Sequence, residues 1–124
     1  MAPGKERRSI PMSQSRIDAF EVMVREQPEE AMAWYGLANE YVKLQRWSQA
    51  ADALRNVVRL NPDYTAAYQM LGTALASEGK RDEAREAWKQ GVETATRTGA
   101  WKARQHMEGL LAETSAESDP GFCE

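Results

Sequence analysis

The stretch Trp34–Leu44, WYGLANEYVKL, returns in outline thirty-four residues later as Tyr68–Glu78, YQMLGTALASE. A fixed period of this length restricts the fold severely, because each copy must offer its neighbour the same packing positions. Displacing the chain by one period sets Trp34 on Tyr68, Leu37 on Leu71, Ala38 on Gly72, Ala50 on Ala84, Leu54 on Trp88 and Pro28 on Pro62. Bulk falls on bulk, and small residues fall on small ones. The residues between them drift, as expected where only packing is constrained.

The unit is a helical hairpin. Trp34/Leu37/Tyr41 and Tyr68/Leu71/Leu75 form i, i+3, i+7 stripes on a first helix. Ala38 and Gly72 let a second helix approach. Ala50 and Ala84 are the small contacts on that second helix, and Leu54 and Trp88 fill the space toward the next unit. One unit cannot bury its stripe alone, so the units must stack. The punctuation agrees with six helices in antiparallel hairpins. Ser13 or Ser15 caps the first helix and Pro28 follows it. Asn61-Pro62 closes the third, Asp63 caps the fourth, Gly79 ends it, Asp82 opens the fifth and Gly99 precedes the sixth. No segment alternates apolar and polar residues long enough for a strand.

Composition excludes several classes of function. Net charge is -3 over 124 residues, without the basic face that a nucleic-acid surface shows. No apolar run reaches the roughly 18 residues that span a bilayer. The basic N-terminus lacks an apolar secretory core. The single cysteine, Cys123, forms no intrachain disulfide and points to the reducing cytoplasm. His106 is the only histidine, too few partners for a zinc site or a nucleophile–base pair. No phosphate-binding glycine loop is present. These counts argue against an enzyme, and no metal or cofactor is expected.

The repeated phrase resembles the tetratricopeptide repeat family, whose pattern is W-x2-L-G-x2-Y, then A-x3-F, then P. It stands here as Trp34-x2-Leu37-Ala38-x2-Tyr41, Ala50-x3-Leu54 and Pro62. The second copy reads Tyr68-x2-Leu71-Gly72-x2-Leu75 and Ala84-x3-Trp88, with Thr96 where the closing proline would be. The resemblance implies an all-α helix-turn-helix solenoid with a C-terminal capping helix. It divides the chain into tail 1–12, half repeat 13–28, repeats 31–64 and 65–98, capping helix 99–113 and acidic tail 114–124.

The same resemblance implies a non-catalytic protein-binding scaffold whose first helices line a concave groove for a peptide or helix of a partner. Off the packing stripe, that groove would be lined by Met32, Tyr35, Asn39 and Val42, then by Gln69, Met70 and Thr73 beside Ala66 and Ser77. Arg104 and Met107, with Ala103, would contribute from the cap. Some family members clamp chaperone carboxylates with two lysines, two asparagines and an arginine. Asn39 and Arg104 match two of the five places, while Tyr35, Met70 and Ala100 occupy the others. Lys102 restores one place only if the cap helix is shifted in register. The alternative function is self-association into a homo-oligomer, or service as a subunit or assembly factor of a larger complex, through apolar ends that include Ile17, Met23, Leu110 and Leu111. Trp101 either seals the end of the stack or stands exposed. Arg85, Glu86, Lys89 and Glu93 read as a solvated face.

Overall fold

The computed structural model describes residues 12–117. The two tails fall largely outside the described residues, and so does Cys123. Six helices follow one another: α1 Met12–Glu26, α2 Ala31–Lys43, α3 Trp47–Leu60, α4 Thr65–Ser77, α5 Arg81–Thr98 and α6 Trp101–Glu117. Each packs on the next in the chain, and α4 also touches α6. Among the described residues there is no strand. No helix among them is long and apolar enough to cross a membrane.

The core is the repeated stripe. Leu37, Ala38, Tyr41, Ala50, Leu54, Leu71, Leu75, Ala84 and Trp88 are all buried. The close approach at the small positions is literal. A side-chain carbon at Gly72 would overlap the Trp88 indole, and one at Gly91 would overlap the Met107 thioether. The aromatic that opens each repeat also fixes the preceding turn. Trp34 Nε1 donates to the Pro28 carbonyl at 2.9 Å, and the Tyr68 hydroxyl donates to the Pro62 carbonyl at 3.0 Å. Trp34 is therefore half-buried, with its indole edge serving the turn, where the sequence suggested plain core. Ile17, read as an end residue, lies in the core.

Three expected helix ends fall elsewhere. Ser13 and Ser15 lie inside α1, which begins at Met12. The residue that caps α4 is Tyr64, and the Asp63 carboxylate takes the Arg97 guanidinium instead. Helix α6 continues to Glu117, past the end expected at Glu113, with Thr114 buried.

The helix starts carry a finding that governs the site. Helices α2 and α4 begin at 31 and 65, and α3 and α5 at 47 and 81, both 34 apart; α4 and α6 begin at 65 and 101, 36 apart. Helix α5 is longer than α3, 18 residues against 14. With the connection after α5 two residues shorter, the net offset is two residues, which moves each position counted by thirty-four about 200° around α6 at 3.6 residues per turn. Counting by thirty-four thus misassigns every position of α6.

Candidate functional site

Within each hairpin, one face of the first helix is committed to the core and the opposite face lines the concave side. On α2 that side carries Met32, Tyr35 and Asn39. They border a hollow of about 670 Å³ completed by Phe20 and Met23 of α1, by Glu30, Ala33 and Gly36, and by Tyr64 at the head of α4. Gly36 explains its depth: a side-chain carbon there would collide with the Phe20 ring, so the ring lies against bare backbone and forms part of the wall. The Tyr35 and Tyr64 rings stack with centroids 4.8 Å apart and planes 28° apart. The Tyr64 hydroxyl donates to Met32 Sδ at 3.4 Å. Burial pushes the Tyr35 pKa up, Tyr64 adds to the rise, and the Asn39 side chain opposes it. The wall is therefore a rigid aromatic pair held by polar edges, while the mouth is soft. Met23 and Met32 are 44% and 59% exposed.

Val42, Gln69, Met70 and Thr73, the other expected groove residues of α2 and α4, do not line this hollow. Val42 and Met70 are half-buried against the core. Thr73 is exposed, and its hydroxyl donates to the Gln69 carbonyl at 3.1 Å, the same oxygen that Trp88 Nε1 reaches at 3.3 Å.

The two expected groove residues of the cap are corrected by the register. Met107 is 0% exposed and fills the notch at Gly91; it is the equivalent of Leu71, a core position. Arg104 is the equivalent of Tyr68. It pairs with Glu108 at 3.0 Å, and its guanidinium lies 5.7 Å from the Trp101 ring centre. Counted by thirty-six, the positions of α6 that match Ala66, Gln69, Met70 and Thr73 are the exposed Lys102, Gln105, His106 and Gly109. Trp101 stands 59% exposed at the end of the stack. Arg85, read as solvated, reaches over α6 to donate to the Leu111 carbonyl at 3.2 Å.

Sequence reasoning missed Phe20, Met23, Glu30, Ala33, Gly36 and Tyr64 as lining residues. One signal was available. A glycine inside a helix costs about 1 kcal/mol against alanine, so Gly36 beside Tyr35 marks a close approach. Among the described residues no three His, Cys, Asp or Glu side chains converge to hold a metal.

Stacked helical hairpins with one concave, partly apolar face define a helical-repeat protein of the interaction class. A sequence profile of the tetratricopeptide repeat family matches residues 35–100 and stops where the register changes. The chain belongs to that family, whose members are in general non-catalytic protein-interaction modules. The TPR repeat-containing protein PA0015 of Pseudomonas aeruginosa is 32% identical over 95 residues, covering 77% of this chain and 90% of that one. Among solved structures, the TPR2B domain of yeast Sti1 in complex with pHsp70 superposes with a TM-score of 0.74 at 18% identity, over 82% of this chain and 81% of that one. The first TPR of Spaghetti (RPAP3), bound to the HSP90 peptide SRMEEVD, superposes with a TM-score of 0.63 at 24% identity, over 77% of both chains.

Proposed function

We propose that this chain is an adaptor that holds a peptide or helix of a partner protein in its concave groove, with Met32, Tyr35 and Asn39 as the central contacts and Gln69, Met70 and Thr73 extending the surface. The observation that carries this reading is the hollow beside the Tyr35–Tyr64 stack. A concave site of several hundred Å³ with an apolar lining and a few polar groups is the usual form of a ligand site. The pHsp70 complex of the Sti1 domain and the HSP90-peptide complex of Spaghetti support a protein- or peptide-binding role for this fold. The register change brings Lys102 and His106 to the places first read as Ala100 and Arg104, but Tyr35 and Met70 still occupy two of the five clamp positions. Paired chaperone carboxylates are therefore not the ligand we assign. A reducing, cytoplasmic setting fits the single cysteine. The second reading, a homo-oligomer or a subunit of a larger assembly, is favoured by exposed Trp101 at the end of the stack.

The test is affinity capture from a lysate of the source organism with the chain and its Tyr35→Ala/Asn39→Ala variant, the latter checked for native helicity. A partner lost by the variant and kept by Arg104→Ala supports the groove. A partner kept by both moves binding to the ends or the tails. Recovery of further copies of the chain alone supports self-assembly.

A further inference from the structure

Building on the groove reading above, we infer that the hollow between α1 and α2 selects a basic peptide segment, one in which a large apolar side chain stands beside lysines or arginines. The apolar half of the requirement comes from the lining. Phe20, Tyr35 and Tyr64 form fixed walls, and Met23 and Met32 leave adaptable thioether side chains in water at the mouth. An apolar anchor entering there removes the methionines and itself from solvent together.

The basic half comes from the rim. The α1–α2 connection reads Glu26-Gln27-Pro28-Glu29-Glu30, and these five residues alone line a second hollow of about 480 Å³. Glu30 belongs to both hollows, so the acidic turn adjoins the apolar site directly. Glu26, Glu29 and Glu30 are exposed, and among the described residues none of the three has an ion-pair partner. Arg25, the nearest cation in sequence, is exposed and pairs with none of them. Elsewhere some surface carboxylates do find cations: Arg55 bridges Asp52 and Glu83, and Arg97 takes Asp63. Lys102 and His106 lie on α6, at the opposite end of the solenoid. Glutamates at the start of α2 also favour the helix dipole, but that role asks nothing of a ligand. A bound lysine or arginine relieves the mutual repulsion of the three carboxylates, whereas an acidic peptide adds to it.

The test uses four fluorescein-labelled peptides in a Gly-Ser frame: Phe flanked by Lys-Arg pairs, Phe flanked by Glu pairs, Phe flanked by Ser, and Ala flanked by the same Lys-Arg pairs. Fluorescence anisotropy with the full chain should show the basic Phe peptide binding at least about tenfold more tightly than the acidic Phe peptide and the basic Ala peptide. Its affinity should fall between 50 mM and 500 mM NaCl, while that of the Ser-flanked peptide should not. Glu26→Gln/Glu29→Gln/Glu30→Gln should abolish the preference for basic over serine flanks, with an unchanged melting temperature. Equal affinity for all three Phe peptides, lost in Tyr35→Ala, would overturn the charge assignment and leave the groove standing. Binding of the basic Phe peptide that survives both Tyr35→Ala and the triple Gln variant would overturn both readings. A gain in affinity on replacing Lys5, Arg7 and Arg8 by Gln would make the chain's own basic segment the occupant and overturn the partner assignment.

Discussion

Two pairs of residues show how small side chains set the distance between helices. Trp88 lies on Gly72, and Met107 lies on Gly91. Gly72→Ala should lower unfolding free energy by about 1–3 kcal/mol, the usual cost of overpacking a filled core, read from urea denaturation. The first pair was legible in the sequence, because Gly72 recurs against Ala38. The second was not, because it joins helices whose relative phase the period misstates. Tyr41 illustrates a different kind of contact. Its hydroxyl donates to Glu21 Oε2 at 2.8 Å and ties α2 to α1. Burial, then the Glu21 hydrogen bond and charge, push its pKa up to about 12, with Arg46 opposing. An unfolded tyrosine ionises near about 10, so folding favours the protonated hydroxyl. That contribution is whole below about pH 10 and is lost as pH rises through about 12. Tyr41→Phe should flatten the fall in melting temperature across this window while leaving the rest of the alkaline profile unchanged.

At the scale of helices, the two repeats solve the same turn unequally. Gln45 and Gly79 are thirty-four residues apart, and both adopt positive φ, 57° and 81°. Glycine takes that conformation without strain and glutamine does not. Gln45→Gly should therefore raise stability by about 0.5–1 kcal/mol, after the greater freedom of the unfolded glycine is subtracted, measured by chemical denaturation. Helix number and type were legible because the apolar stripes recur with helical spacing. The C-terminal ends at Asn61, Gly79 and Gly99 were legible too, but the N-terminal caps were not. Asp63 looked like the cap of α4, but the fold uses it to hold Arg97 of α5, and no neighbour in sequence announces that partner. Positions of α2 can be matched to those of α4 because both follow the period, and three of the residues expected on α2, Met32, Tyr35 and Asn39, border the hollow. Those of α6 could not, because the longer α5 intervenes and only the packed structure reveals the offset.

Across the whole molecule, each helix meets chiefly its neighbours in sequence, and long-range order is relayed from hairpin to hairpin. The central helices are packed on both sides and the end helices on one. Amide exchange should accordingly be slowest in α3, α4 and α5 and fastest in α1 and α6, with the inner helices approaching the global unfolding limit; uniform protection along the chain would contradict this. The solenoid architecture was legible as a whole from the repeat. The hollow was not, because three helices contribute to it and its wall is an absence, the missing side chain of Gly36.

The extra length of α5 has a practical consequence. It is absorbed before Gly99, which turns with φ 81° and has nothing within 4 Å of where its side chain would begin. The concave face resumes in step beyond that bend, so the back of the solenoid works as an expansion joint. A dye, a short tag or a tether spliced in at Gly99 should leave the proposed binding face in place, which makes this corner the point at which to attach the protein to a surface.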